Sequence, residues 1–385
     1  MHARTWLALA SIPLVGVFSL PVLQPQGVLK PKASTTSQDP LAGLADIQDV
    51  LGLVQQNYVD SPDMERVVGG GIQAVLERAH PLNSLLTAED LRAGDPGPAD
   101  AGFRYVKRGS GGLYAQVTAV VPGGPAAQAG LLVGDVIRKV DGESVGLIST
   151  FQLERRLKGA EGSTLVLSKY TTAGELTKVT VTRRKLQSAP LALVPEKGAL
   201  RVALTDLRPG RAAELSKLLE GKDRAQTLVL DLRGAFEGSY DEALKMATLL
   251  APGAAFATYQ EPGHPDQVQT VPAGPGLGFA RLGVMLGAST QGPAEVLAAC
   301  LKKAGAHVVG ERSLGLALTR TRIPLRQGGG VEIVHGRWMG AGGEKLDRQG
   351  VVPSQIVRAQ KPEEDVLPRL LEAIQNPVKT PEKAN

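Results

Sequence analysis

Apolar and polar positions follow three rhythms along the chain. Residues 42 to 80 repeat on the helical period. LADIQDVLGLVQQNYV and MERVVGGGIQAVLERA each space apolar side chains three and four apart, and DSPD between them reads as a stop followed by a cap. LNSLLTAEDLRAG predicts another short helix, with Thr87 as N-cap and acidic residues in its first turn. After the breaker-rich AGDPGPADAG, from about residue 101, the rhythm shortens to strands. LYAQVTAVV is one; LLVGDVIRKVDGESV reads as strand, tight turn at Asp141-Gly142, strand; STLVLSKYTTAGELTKVTVTRRKL reads as a hairpin. TFQLERRLKGAEG between them predicts a helix ended by glycine. From about residue 189 strand and helix alternate: ALRVALTDL, RAAELSKLLEG, AQTLVLDLRG, DEALKMATLLAPG, RLGVMLG, GPAEVLAACLKKAG, AHVVGER. That alternation predicts an α/β layer with largely parallel strands, and PEEDVLPRLLEAIQ closes it with an amphipathic helix. The fold class expected is α+β and multidomain.

Composition narrows the picture. Of 385 residues, 43% are hydrophobic and 21% charged, which is a globular balance. Aromatics supply only 4%, so the cores must rest on aliphatic side chains. After the short positive start MHAR, residues 5–23 (TWLALASIPLVGVFSLPVL) carry no charge. That run is longer than the usual apolar core of a signal peptide and close to a membrane span, and PVLQPQG is a poor cleavage site. A cleaved signal and an uncleaved anchor both stand. Either places the bulk of the protein outside the cytoplasmic membrane, periplasmic or in the cell envelope, with membrane association through residues 5–23. KPKASTTSQDP reads as a polar linker. The net charge of +5 suits an anionic surface, but no basic run is interleaved with aromatics, which sets nucleic acid aside. The single cysteine, Cys300, permits no intrachain disulfide, and the five histidines lack ligand spacing; neither metal nor cofactor is expected.

Two sets of residues carry a resemblance. VVPGGPAAQAGLLVGDVIRKVDGESV is similar to the Pro-Ala-x-x-Ala-Gly, Gly-Asp-x-Ile and Asp-Gly run of PDZ domains. LVLDLRG, DEALKMATLLAP, VVGERSLG, IPL and GVVPSQIV resemble, in order, the landmarks of the carboxyl-terminal processing (tail-specific) serine peptidases, family S41. NYVD and LNSLLTAED resemble that family's N-terminal helical region, so the likeness covers about residues 42–375. It implies a signal or anchor plus linker (1–40), a helical segment (41–98), a PDZ-like domain (99–187), a crotonase-like α/β core (188–375) and a loose tail (376–385).

The resemblance also implies a site. In the family a serine attacks the scissile carbonyl, a lysine of lowered pKa takes its proton, and a glutamine orients the lysine. The serine position, three before Glu295, is Gly292; the lysine position, after Gly315, is Leu316; the glutamine position is Arg320. Glycine offers no nucleophile, leucine exchanges no proton, and arginine stays charged. The family's Asn-Pro-Gly-Gly-like oxyanion turn is here Ala235-Phe236-Glu237-Gly238, whose glutamate would oppose a developing negative charge if it faced in. A catalytically degenerate, peptide-binding pseudoenzyme is therefore expected. The alternative is an active S41-type serine endopeptidase with a relocated site, using Ser289 or Thr290; a separate one has Glu237 or Glu311 as general base for a different reaction. Lys302 and Lys303, the nearest lysines in sequence to Ser289, sit at the far end of the next helix. The PDZ-like module is expected to bind peptide or protein C-terminal tails as an added strand, with the carboxylate captured at the loop Gly102, Phe103, Arg104, Tyr105. Two alternatives stay open there: Arg104 binds the carboxylate or is a solvated edge charge, and the groove is open or closed.

Overall fold

A computed structural model describes residues 43–108, 114–171, 173–187, 190–196, 198–358 and 365–377. The apolar segment 5–23, the linker and the last eight residues lie outside these. No helix among the described residues is long and apolar enough to cross a membrane. Helix α1 (Gly43–Asn57) belongs to one compact unit and buries none of its residues. Everything from Asp63 onward forms a second unit.

That second unit opens with α2 (Met64–Ala79), capped by Asp63, whose carboxylate accepts from the Arg66 amide. Strand β1 (Ser84–Leu86) follows, then α3 (Ala88–Arg92). Thr87 caps α3 as the sequence predicts, in a reciprocal box with Asp90.

The β-rich module follows. Its strands are β2 (Ala99–Asp100), β3 (Phe103–Arg108), β4 (Tyr114–Val120), β5 (Val136–Val140), β6 (Glu143–Ser144), β7 (Lys158–Gly159), β8 (Thr164–Tyr170), β9 (Leu176–Thr182) and β10 (Arg184–Lys185). Helix α4 (Pro125–Gln128) follows β4, and α5 (Thr150–Leu157) precedes β7. The main sheet runs β3-β4-β5-β8-β9, antiparallel throughout, so β3 is an edge strand. Asp141 and Gly142 both take positive φ, 50° and 85°, which is the backbone the predicted Asp-Gly turn demands. Phe103, Ile137, Leu153 and Leu165 pack in one core. Helix α5 stops at Leu157 rather than at Gly162 as expected, because Lys158 turns extended and pairs with Asp100.

The α/β core begins with β11 (Leu193–Glu196), β12 (Ala199–Ala203), α6 (Arg211–Leu218), β13 (Thr227–Asp231) and α7 (Tyr240–Leu250). It continues through β14 (Ala255–Gln260), β15 (Gln267–Thr270), β16 (Arg281–Leu286), α8 (Pro293–Lys303), β17 (His307–Gly310), β18 (Leu318–Pro324), β19 (Gly330–Met339), β20 (Gln355–Ile356) and α9 (Leu367–Gln375). Strands β12, β13, β16, β17 and β20 are parallel neighbours, with β11 antiparallel at the edge. Alternate residues of β13 face opposite layers. Leu228 and Leu230 meet α6, α7 and α8, while Val229 meets Leu370, Ala373 and Ile374 of α9. A strand covered on both faces has no polar side, which is why LVLDL reads as an unbroken apolar run. The sequence pattern assigned no strand to a second sheet, β1-β19-β14-β15 with β18 on β19, that joins the helical segment to the core.

One ion pair anchors the β-rich module from within. The Lys169 ammonium donates to Asp135 Oδ2 at 2.5 Å and to the Gly130 carbonyl at 2.8 Å, and both side chains are almost wholly buried. Lys169→Met should leave a buried carboxylate without a counter-ion and cost about 3–5 kcal/mol. Urea denaturation of the whole chain, followed by far-UV circular dichroism, measures the loss.

Candidate functional site

The loops after β13, β16 and β17 all leave the carboxyl ends of neighbouring parallel strands, where open α/β sheets form their ligand crevices. The first carries the Ala235–Gly238 turn, the second Gly292, the third Gly315 and Leu316. The three expected positions, Gly292, Leu316 and Arg320, line one cleft of about 850 Å³ between the core and the β-rich module. Arg104 and Tyr105 of the expected carboxylate loop line it too.

A buried carboxylate joins two of these loops. Glu295, fully buried in the first turn of α8, accepts from Gly292 N (2.9 Å) and Leu316 N (2.8 Å) on one oxygen. Its other oxygen accepts from Gly315 N (2.6 Å) and the Ser313 hydroxyl (2.6 Å). Burial pushes this carboxyl up to about 7, while the four donors pull the other way. Gly292 sits at φ 61°, ψ −125°, a backbone that suits glycine. A Cβ placed there would lie 3.8 Å from the Leu316 carbonyl oxygen and meet nothing else within 4 Å. There is space beside Gly292 for a small side chain.

The other cleft groups are engaged in ion pairs. Arg320 donates to Glu332 (2.8 Å) and across the cleft to Glu154 of α5 (3.0 Å). Burial disfavours its charge, and the two carboxylates more than offset this. Arg322 donates to the same Glu332 (3.0 Å) and lies 4.7 Å over the Phe151 ring of α5. Glu237 does not project freely toward an oxyanion position. Its carboxylate accepts from Arg104 of the β-rich module and from Arg208 (2.6 Å).

The four carboxylate-loop residues divide. Phe103 is buried in the module's core, and the Gly102 amide is taken by Asp100 Oδ1 at 2.7 Å, so neither lines the cleft. Arg104 donates to Asp100 (3.1 Å), to the Phe103 carbonyl (2.7 Å) and to Glu237. The Tyr105 hydroxyl crosses to the Thr150 carbonyl at 3.1 Å. Burial, and the Glu154 carboxylate after it, push this phenol well above its ordinary range, so it stays a neutral donor.

The alternative nucleophiles have other partners. Ser289 Oγ donates to the Thr118 carbonyl of β4. Thr290 is fully buried; its hydroxyl donates to Leu232 O at 2.7 Å and accepts from Gly287 N at 3.1 Å. No lysine or histidine bonds either hydroxyl among the described residues. Lys302 donates to the Val352 carbonyl, and Glu311 lies 3.7 Å from Arg358. Among the described residues no group of three or more metal-ligating side chains gathers. Pattern reading did not assign roles to Asp100, Glu154, Arg208 or Glu332. Each is one charged residue in an unremarkable stretch and acquires its partner only through folding.

Comparison with known proteins agrees with this architecture. Residues 116–168 match the PDZ domain model and residues 200–357 match peptidase family S41. The chain is 26% identical over 262 residues to a chloroplastic carboxyl-terminal-processing peptidase 2 of Arabidopsis thaliana, covering 65% of this chain and 51% of that protein. It is 26% identical over 304 residues to a chloroplastic C-terminal processing peptidase of Tetradesmus obliquus, covering 74% and 64%. A probable CtpA-like serine protease of Staphylococcus aureus (strain MSSA476) is 22% identical over 342 residues, covering 86% and 68%. The match thus spans about half the length of the first of these relatives. Among solved structures, a photosystem II D1 C-terminal processing protease superposes with a TM-score of 0.65 at 22% identity, over 85% of this chain and 89% of that one.

Two predictions follow from Glu295 and Gly292. Below pH 4.5, the ordinary value for this group, the Glu295 carboxyl is protonated in folded and unfolded chains alike. Between there and about 7 the folded chain keeps a proton that the unfolded chain has released, so the group's contribution to stability falls as pH rises through that window. The fall should be about 3 kcal/mol. Denaturation midpoints of wild type and Glu295→Gln across pH 4–8 should differ in slope, the variant being flatter though less stable throughout. Gly292→Ser should fit sterically, cost about 1–3 kcal/mol of backbone strain, and yield no turnover of a free-acid peptide by mass spectrometry.

Proposed function

We propose that this chain, an S41 carboxyl-terminal processing peptidase-family protein with a PDZ domain, captures the C-terminal tail of a peptide or protein and does not cleave it. One observation carries the reading. A cleft is present, yet Gly292, Leu316 and Arg320, which line it, supply neither nucleophile nor base where the resemblance places both. Groups that act as a catalytic unit are grossly non-additive, and losing such a unit costs on the order of a millionfold in rate. The relocated-site reading is not favoured, because the Ser289 and Thr290 hydroxyls are each spent on a backbone carbonyl. By the same reading the protein works outside the cytoplasmic membrane, directed there by residues 5–23.

Capture follows from an unpaired edge and a cation. No described strand pairs with the outer edge of β3, so an extended tail can add there as a further strand. The tail's carboxylate would meet the start of β3, where Arg104 is shared between Asp100 and Glu237. Glu237 is then an internal competitor. A tail carboxylate that takes Arg104 leaves Glu237 its second arginine, Arg208.

Fluorescence anisotropy with a labelled ten-residue peptide tests this. A free-acid tail should bind at least about tenfold tighter than its C-terminal amide, since the amide forfeits a charge-assisted contact. Arg104→Ala should erase that difference, and Glu237→Gln should tighten free-acid binding a few-fold. Equal binding of acid and amide would remove the capture reading. Cleavage products that disappear in Ser289→Ala would instead establish the relocated peptidase.

A further inference from the structure

Helix α5 forms the far wall of the cleft, presenting Phe151, Glu154, Arg155 and, at its C-cap, Lys158. The charges on this wall are not equally satisfied. Glu154 is neutralised by Arg320. Among the described residues Arg155 bonds only a carbonyl, Gly94 O at 2.8 Å, and lies 5.7 Å over the Phe151 ring. The Lys158 ammonium has no hydrogen-bond or ion-pair partner among the described residues, and its side chain is exposed. Arg156, between them in sequence, supplies an internal contrast. It does not line the cleft and is paired with Glu143 at 2.6 Å.

Cations in the last turn of a helix offset its dipole, and that alone would explain three basic residues here. It does not explain why the one turned from the cleft has a carboxylate partner while the two lining it have none. The remaining ions of the cleft are paired, Arg104 with Asp100 and Glu237, Arg320 and Arg322 with Glu154 and Glu332. Asp95, the other carboxylate at this end, caps its own turn through Gly97 N. The lining charges balance, and Arg155 and Lys158 are the cleft's two cations without a carboxylate partner among the described residues.

These cations stand at the carboxylate end of the groove. Lys158 is the register partner of Asp100, and the Leu157 carbonyl accepts from Ala101 N at 2.8 Å. Building on the tail-capture reading, we infer that the preferred tail bears an acidic side chain in its last few residues, so that Arg155 and Lys158 meet a second carboxylate beside the terminal one. The ligand class is an acidic C-terminal peptide, and Arg155 and Lys158 are its specificity-determining residues.

Labelled decapeptides identical except for Glu or Lys at the third residue from the end, each ending in two alanines as the free acid, test the inference on the whole chain. The Glu peptide should bind about fivefold tighter or better at low salt, with the margin shrinking as salt is added. The double variant Arg155→Glu/Lys158→Glu should reverse the order. Should it fold poorly by circular dichroism, Arg155→Gln/Lys158→Gln should abolish the margin instead. Equal binding of the two free acids, or a margin untouched by both variants, overturns the acidic preference while leaving tail capture intact. Failure of every free acid to bind better than its amide overturns tail capture and this inference with it.

Discussion

The Glu295 carboxylate is the interaction on which the cleft depends. An isolated carboxylate would not remain charged in such a place, because burial penalises the charge by several kcal/mol. It is held by four donors drawn from both loops that face each other across the site. One of these contacts also secures the amino end of α8, the carboxylate accepting from its N-cap amide, Gly292 N. Ser313 extends the link by accepting from Val351 N, which ties the following segment into the same point. Losing this group would release the segments that carry Gly292 and Leu316 together. The scaffold of the site is therefore intact independently of the groups that would do chemistry on it.

Arginine–carboxylate pairs line the cleft from both sides. Arg320 of the core reaches Glu154 on the PDZ domain, and Glu237 of the core reaches Arg104 on the same domain. Phe151 adds a third contact, its ring lying under Arg155 and Arg322. Exposed pairs contribute little, but these are partly withdrawn from water and converge on one interface. These charges hold two domains face to face.

Helix α5 is fixed from the other side as well. The Phe151 amide donates to the Ser84 hydroxyl, the Thr150 hydroxyl donates to the Pro81 carbonyl, and Gln152 donates to Asp90. Lys107 of β3 donates to Glu77 of α2 and to the Ile148 carbonyl. Both walls of the peptide groove are thus set by the helical segment that precedes the PDZ domain. A groove whose walls are already positioned binds an extended tail with less ordering cost than a free domain would incur.

The sequence by itself determined the elements and their order. Periodicity located the helices and the parallel strands, the Asp141-Gly142 pair announced its turn, and Thr87 and Asp90 announced a capped helix, because each depends on residues a few positions apart. That Gly292 and Leu316 carry no side-chain proton to exchange was equally legible, since a residue type without such a proton carries that property into any fold. The second sheet was not legible. Strand β19 pairs with β1, β14 and β18, and the burial along it arises only when those partners are present. The roles of Arg104, Arg320 and Glu237 were decided by tertiary structure alone. A charged side chain in sequence is a solvated charge until folding brings its counter-ion, and these lie 133 and 166 positions away.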